Sequence, residues 1–275
     1  MRVDQDRTGP LVVRRSASNE RVMWITPDRV FYVGLLGAPS VRNFGAVSVY
    51  VGLDCPVSVS VDGGEWETSH VAVVQPYTPH QVAYASRNIA VIHIEPESVD
   101  MAALPKMLRH GNGAVQADEF RGHVLRCHQA IIRNGQNAVE PMLDFDTLVF
   151  GSPLASRTVD PRIAQVLERI RRDPSSQALA QDCAEQVHLS FSRFLHLFKS
   201  EVGASFRSFR TWKRARSLLH YVVDQSTTLT DVALGAGYPD STHFSHSIRQ
   251  VYGLKPKDIF AGSRKLRVIG PGLFA

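Results

Sequence analysis

The sequence predicts an α+β protein of two domains, with a β-rich N-terminal part and an all-helical C-terminal part. Short apolar runs separated by turn residues fill the first hundred positions, and amphipathic helical stripes fill the chain after residue 157. The charge changes sign at the same place, with 13 Lys and Arg against 16 Asp and Glu in residues 1–156 and 18 against 10 in residues 157–275. A length of 275 residues fits two such domains.

The first hundred residues are predicted to form short β-strands. Turn material such as Asp62-Gly63-Gly64 separates the apolar runs, which recur roughly every ten residues. This spacing favours a barrel or a sandwich over βαβ units. The predicted strands are 30–36, 47–53, 57–61, 71–74 and 89–94.

Helices are predicted to follow the strands within the same domain. Segments 99–109 and 140–150 have helical patterns, and 117–134 has an apolar face that Asn134-Gly135 would end. The helix at 117–134 either pairs with its copy in a dimer or packs on the barrel. We therefore assign residues 1–150 to an N-terminal sensing or association domain.

A domain boundary is predicted at Thr158-Val159-Asp160-Pro161, where Asp160 is suited to cap a helix that begins at Pro161. Residues 157–265 form the second domain. Further on, Thr228 and Asp231 have the form of a capping box, which opens a short helix that must stop by Gly237. The basic tail at 264–267 is either a further phosphate-binding segment or a loose end.

Several classes of protein are excluded by the composition. Three cysteines at wide spacing predict neither a disulfide framework nor a zinc site. The chain has no apolar stretch long enough for a membrane span, and its first residues lead to no apolar signal segment, so we expect a cytoplasmic protein. Hydrolase, dinucleotide and P-loop motifs are missing. We therefore predict no catalytic residue, no cofactor and no metal.

The most informative feature is an internal repeat at an offset of 50 residues. Residues 190–203 align with residues 240–253, and each unit is preceded by a small-residue pair that allows two helices to cross closely. Capping residues, core aromatics and terminal glycines recur together, which predicts two helix-turn-helix units at about 177–200 and 228–250. The matched pairs are Ser190 and Asp240, Phe194 and Phe244, His196 and His246, Phe198 and Ile248, Lys199 and Arg249, and Gly203 and Gly253.

Residues 161–260 resemble the DNA-binding domain of the AraC/XylS family of bacterial transcription regulators. The resemblance is carried by Asp231-Val-Ala-Leu-Gly-Ala-Gly-Tyr-Pro-Asp-Ser-Thr-His-Phe-Ser245 and by Tyr252-Gly-Leu-Lys-Pro256. It departs from the family at His196 and His246, where arginine is usual, and at Thr211 in the linking helix. Base preference therefore cannot be carried over from typical members.

The resemblance implies that the N-terminal turns of two recognition helices face DNA bases. Because serine, threonine and neutral histidine discriminate bases less sharply than arginine, weak discrimination is expected at several positions. The implied base contacts are Ser192, Leu195, His196, Ser241, Thr242, Ser245 and His246. The candidate phosphate contacts are Arg193, Arg207, Arg210, Lys213, Arg214, Arg216 and Lys255.

The β-rich part resembles the cupin-like sensor domains of this family. The segment Val73-Val-Gln-Pro-Tyr-Thr-Pro-His80 looks like a cupin motif, but the place of the metal-binding histidines, 40–46, contains none. The full predicted fold is thus a cupin-like β-barrel with trailing helices followed by two helix-turn-helix units. The candidate residues for a ligand pocket in the barrel are Arg42, Trp66, Tyr77, His80 and His93, of which Arg42 suits an anionic effector.

These observations predict a sequence-specific DNA-binding transcription regulator, modulated by a small effector or by self-association as a homodimer. Double-stranded operator DNA and RNA polymerase are the implied partners, and no membrane is. Two alternatives stay open at this point. One is an architectural DNA-binding protein without sequence preference, and the other is a cupin enzyme fused to a DNA-binding domain.

Overall fold

The computed structural model describes residues 21–133, 144–176, 179–221, 228–263 and 266–269. Its N-terminal part contains two β-sheets, with three helices packed against the larger one, and we call this unit the β-domain. Its C-terminal part contains seven helices. The predicted α+β class with an all-helical C-terminal region is confirmed.

The larger sheet has seven strands in the order β10-β1-β2-β8-β3-β6-β9, and the smaller has three in the order β5-β4-β7. All five predicted strands are present, at bounds within two residues of those expected. The strands are β1 Val22–Ile25, β2 Arg29–Gly34, β3 Val47–Gly52, β4 Val57–Val61, β5 Glu67–Ser69, β6 Val71–Val74, β7 His80–Tyr84, β8 Ile89–Ile94, β9 Gly113–Val115 and β10 Arg267–Ile269.

The central strands are buried on both faces, which explains their continuous apolar runs. One face of the larger sheet meets the smaller sheet, and the other is covered by helices α1 Lys106–His110, α2 Asp118–Arg133 and α3 Phe145–Phe150. The apolar face of α2, including Val124 and Ile131, packs on this sheet, so it is not a free surface for a second copy. Residues 134–143, with the expected Gly135 cap, lie outside the described residues.

The C-terminal helices begin and end where local caps require. The side chain of Asp160 accepts from the backbone of Arg162, and Pro161 opens the first helix, as predicted. Thr228 and Asp231 form the predicted capping box. The helices are α4 Pro161–Arg172, α5 Ala180–Gln186, α6 Phe191–Val202, α7 Phe206–Tyr221, α8 Leu229–Gly235, α9 Ser241–Tyr252 and α10 Pro256–Ser263.

Two hydrophobic cores serve these helices. The first unit, with α4, α5 and α6, has a core of its own around Phe194 and Phe198. The second unit shares a core with the β-domain, because Phe244 and Trp212 belong to the same buried cluster as Tyr50 and Val82. The predicted boundary near residues 150–157 thus separates two segments of chain whose cores are partly continuous.

Residues 264 and 265 of the basic tail lie outside the described residues, so a phosphate-binding role for them stays a prediction. The tail is not a loose end at residues 266–269. Strand β10 pairs in parallel with β1, with Val22 opposite Arg267 and Trp24 opposite Ile269. The guanidinium of Arg267 donates to the carbonyl of Ile131 at 3.0 Å. The tail therefore completes the edge of the larger sheet.

Candidate DNA-binding surface and interdomain pocket

The two predicted recognition helices are equivalent in structure. Helices α6 and α9 occupy 191–202 and 241–252, an offset of 50 residues, and their first ten positions have the same pattern of burial residue by residue. Each begins at a side chain that accepts from the first-turn backbone, Ser190 or Asp240. Each ends at a glycine with positive φ, Gly203 at 82° or Gly253 at 69°.

The helix that precedes each recognition helix crosses it through small buried residues. Cys183 and Ala184 of α5 and Ala233 of α8 are fully buried, as the small-residue pairs predicted. Four residues separate α5 from α6, and five separate α8 from α9. The second turn is therefore one residue longer than the first. Gly237 is required in that turn, since a Cβ there would lie 2.1 Å from the carbonyl oxygen of Ser175.

The residues assigned to base contacts lie on the outer face of α6 and α9. Ser192, His196, Ser241, Thr242 and His246 are exposed. Leu195 and Ser245 occupy matching half-buried positions one turn along. Beside them, the imidazole of His243 lies 2.7 Å from the carboxylate of Asp240, so it supports the helix cap.

The seven candidate phosphate contacts fall into two groups. Arg193, Arg207 and Lys255 are exposed, and Arg214 lies half-buried with its guanidinium 5.4 Å from the centre of the Tyr238 ring. These four lie outside the ion pairs of the described residues. Their role in binding phosphate stays a prediction.

The other three candidates contact protein partners, contrary to what their charge alone suggested, with Arg210 and Arg216 buried and Lys213 half-buried. Arg210 donates to the carbonyls of Pro174 and Ser176, and burial lowers its pKa. Lys213 and Arg216 bind carboxylates of the β-domain. In this arrangement none of the three is available to DNA, and sequence spacing holds no signal for partners so distant along the chain.

A largely apolar pocket of about 240 Å³ lies between the β-domain and the C-terminal helices. Arg42, Tyr50, His93 and Asp258 contribute polar groups to its lining. Asp258 is exposed and forms no ion pair with Arg42 among the described residues. Arg42 is 4% exposed, its Nη2 donates to the carbonyl of Leu36 at 2.9 Å, and its Nε has no hydrogen-bond partner. The apolar lining comes from both parts of the chain, with Met23, Val30, Tyr32, Leu36, Phe44 and Val91 on one side and Leu219, Tyr252, Leu254, Ile259 and Leu266 on the other.

The five predicted pocket residues are not all together. Arg42 and His93 line the pocket, and His80 lies behind it, with its Nε2 2.7 Å from the Tyr50 hydroxyl. Tyr77 lines a separate cleft beside Trp212. The placement of Trp66 in the pocket is wrong, because this side chain is 48% exposed on the turn before β5. The lining from the C-terminal helices was missed, since those residues lie more than 120 positions away from the strands they face.

Burial governs the protonation of the two histidines in this region. Burial lowers the pKa of His80 to about 4. The hydrogen bond to the Thr78 carbonyl opposes this shift by raising the pKa, and the positive charge of Arg42 lowers it further. Burial also lowers the pKa of His93 to about 3, with further contributions from Arg216, His80 and Arg42. Both imidazoles are therefore neutral at pH 7, and Arg42 is the cation that lines the pocket.

No cluster of three or more His, Cys, Asp or Glu side chains suited to a metal ion occurs among the residues that the structure describes. Nor is any helix in those ranges long and apolar enough to cross a membrane. The three cysteines are free thiols, and burial raises the pKa of Cys127 to about 12.

Comparison with known proteins covers the two parts of the chain differently. Residues 183–262 match the model of a helix-turn-helix domain. The invasion protein InvF of Salmonella typhimurium is 28% identical over 115 residues, which are 37% of this chain and 53% of InvF. The transcriptional activator RhaS of Klebsiella pneumoniae is 25% identical over 103 residues, 38% of this chain and 37% of RhaS. The aligned segment thus spans about half or less of these relatives.

Solved structures match most of the chain in fold. ToxT of Vibrio cholerae bound to an unsaturated fatty acid superposes with a TM-score of 0.52 at 10% identity, over 86% of this chain and 95% of ToxT. ToxT bound to (E)-4-(8-methylnaphthalen-1-yl)but-3-enoic acid gives 0.54 at 9% identity, over 86% and 99%. The cupin-like interpretation of the β-domain stays a prediction. The chain has a ToxT-like two-domain fold, and its C-terminal region is a helix-turn-helix domain of the AraC/XylS type.

Proposed function

We propose that this protein is a sequence-reading transcription regulator that binds double-stranded DNA through two recognition helices of one chain. The observation that carries the proposal is the residue-by-residue match in burial between α6 and α9, which presents the same exposed positions twice. The basic C-terminal half, at 18 Lys and Arg against 10 Asp and Glu, supports a polyanionic partner. A regulator of this kind acts at a promoter operator together with RNA polymerase.

The linking helix, α7, gives a reason for one chain to read two grooves. Successive major grooves on one side of a duplex are about 34 Å apart, so two recognition helices must be held at a fixed separation. Phe209 packs α7 into the core of the first unit, and Leu218 packs it into the core of the second. A single helix of 16 residues therefore sets the spacing of both units.

The test is selection of bound duplexes from a random DNA pool by the full-length protein at fixed salt. We expect enrichment of an asymmetric site with two short elements about 10 bp apart. His246→Ala should relax preference at one position of the second element only, and His196→Ala at one position of the first. A pool that binds without enrichment would instead support the architectural alternative, and a protein that retains no DNA would refute both.

For the interdomain pocket we propose an effector that has an apolar body and a carboxylate. A buried guanidinium without a carboxylate partner among the described residues is costly unless an anion completes it. The guanidinium of Arg42 would bind the carboxylate of the effector, and the aromatic and aliphatic lining of the pocket suits an apolar body. The two ToxT complexes described above contain an apolar carboxylic acid in each case, which supports the same ligand chemistry here.

Thermal unfolding with matched ligands tests this effector class. Octanoic acid should raise the melting temperature of the wild-type protein, whereas octanamide, which lacks the charge, should raise it much less. Arg42→Met should abolish the difference between the two, with an affinity loss for the acid of about 10–150-fold, the worth of hydrogen bonds to a charged group. Equal shifts from acid and amide in the wild-type protein would refute the role of Arg42.

A further inference from the structure

A buried carboxylate of the β-domain lies at the centre of its contact with the linking helix. Glu95, directly after β8, is fully buried. Its Oε2 accepts from the Trp212 indole at 2.8 Å and from the Lys213 ammonium at 2.9 Å, and its Oε1 lies 2.6 Å from Nε of Arg216. Three side chains of α7 thus converge on one carboxylate.

A second carboxylate completes the cluster. Glu97 binds the ammonium of Lys213, and the guanidinium of Arg216 donates to the carbonyls of Thr26 at 2.7 Å and Arg29 at 3.1 Å. The side chains of Lys213 and Arg216 are 13% and 6% exposed. Burial disfavours the charge of Lys213, but Glu95 and Glu97 outweigh it and raise its pKa, so this lysine stays charged.

The remainder of the DNA-facing surface is not engaged in this way. Five of the seven base-contact residues are exposed, with only Leu195 and Ser245 half-buried. Arg193, Arg207 and Lys255 are exposed as well. The β-domain therefore withdraws two cations of the linking helix while it leaves the recognition turns free. The contact is reinforced by close packing, because a Cβ on Gly45 would lie 2.4 Å from the Trp212 ring.

We propose that Glu95 and Glu97 form an intramolecular latch that competes with DNA phosphate for Lys213 and Arg216. Tight DNA binding then requires α7 to separate from the β-domain, and the latched form binds DNA more weakly. This inference rests on the proposed function, because it assumes that the C-terminal region binds DNA. It adds an inhibitory role for two acidic residues that are 116 or more positions away from their partners along the chain.

The latch makes a quantitative difference to salt dependence. Each phosphate contact contributes about 0.9 to the slope of log affinity against log salt concentration. Release of Lys213 and Arg216 therefore makes that slope steeper by up to about 1.8. A latch that played only a structural role would leave the slope unchanged.

The first experiment compares Glu97→Gln with Glu119→Gln in the full-length protein. Both remove one negative charge from the β-domain, but Glu119 lies exposed in the first turn of α2, away from the latch. Binding to a 40-bp mixed-sequence duplex is measured by fluorescence anisotropy over a series of salt concentrations. We expect Glu97→Gln to bind more tightly, with a steeper slope, and Glu119→Gln to match the wild-type protein.

A double-mutant cycle and an optical measurement complete the test. Lys213→Gln should lower affinity more in the Glu97→Gln background than in the wild-type background. Because Trp212 is 2% exposed in the latched form, its emission should lie at longer wavelength in DNA-bound Glu97→Gln than in DNA-bound Glu119→Gln. Both variants carry Trp66→Phe, which removes the exposed indole.

The outcomes separate the two proposals. If the wild-type protein binds the duplex but Glu97→Gln binds no more tightly than Glu119→Gln, the latch is overturned and the proposed function stands. Equal Trp212 emission in DNA-bound Glu97→Gln and DNA-bound Glu119→Gln also overturns the latch. If no variant binds DNA at any salt concentration, the proposed function fails, and the latch with it.

Discussion

The two buried histidines near the pocket predict that stability falls steeply in mild acid. The pKa of His80 is lowered to about 4 and that of His93 to about 3, whereas both have a pKa near 6.5 in an unfolded chain. Below pH 6.5 the unfolded state therefore takes up two protons that the folded state does not. The stabilisation is fully present above pH 6.5 and is lost as the pH falls towards 4 and 3.

The magnitude follows from the size of these shifts. Each histidine lowers the free energy of unfolding by about 1.4 kcal/mol for every unit by which the pH falls, over the range in which only the unfolded state is protonated. Between pH 7 and pH 5 this is about 2 kcal/mol for each residue, or about 4 kcal/mol together. At roughly 2–4 °C per kcal/mol for a protein of this size, the melting temperature should fall by about 8–16 °C.

The assay is thermal unfolding by circular dichroism from pH 7 to pH 5, in the wild-type protein and in three variants. His80→Gln and His93→Gln should each remove about half of the histidine contribution to the pH dependence. His110→Gln, which changes an exposed imidazole, is the matched control. The reasoning fails if the slope with pH is the same in His80→Gln and His93→Gln as in the wild-type protein.

Three further predictions follow from burial and charge. Four candidate phosphate contacts lie outside ion pairs, so wild-type DNA affinity should fall about 150-fold from 50 to 200 mM salt; a slope near zero in the anisotropy titration would contradict this. Phe194→Ala should lower the free energy of unfolding by about 3–5 kcal/mol and raise the rate of amide hydrogen exchange in the first helix-turn-helix unit. Phe244→Ala should raise the exchange rate in the β-domain as well, because Phe244 belongs to the core that the two parts share. Phe191→Ala, at an exposed position, is the control. Asp146→Asn breaks a buried bidentate pair with Arg29 and should cost about 3 kcal/mol in urea unfolding, and a loss below 1 kcal/mol would refute the importance of that pair.

Local patterns in the sequence were sufficient for most of the elements. Strands β3, β6 and β8 lie at or within one residue of their expected bounds, because strands buried on both faces form continuous apolar runs. Strand β4 lies at its expected bounds because valine alternates with serine along it. Strands β1, β5, β7, β9 and β10 were not predicted. Three of them, β5, β9 and β10, have only three residues, which are too few to show a periodicity. The helix predicted at 99–109 is confined to 106–110, which follows Pro105.

The candidate site was predictable in part for the same reason. The caps at Ser190 and Asp240 act within three residues, so the positions of both recognition helices could be derived from spacing alone. Which arginines and lysines remain exposed could not be derived in that way. All five basic residues from Arg207 to Arg216 lie on the same amphipathic helix, so spacing alone does not tell them apart. The contacts of Arg210, Lys213 and Arg216 with residues distant in sequence distinguish these three from Arg207 and Arg214.

The sequence by itself determined five of the ten described strands, most of the helices, and the duplicated helix-turn-helix with its basic character, because caps, periodicity and composition act over a few residues. The tertiary structure alone decided that β10 joins the sheet at β1, that the pocket is lined from both parts of the chain, and that Glu95 and Glu97 hold the linking helix. The physical reason is distance along the chain. Trp212 and Glu95 are separated by 117 residues, and no local preference specifies a contact that exists only when the two parts pack together.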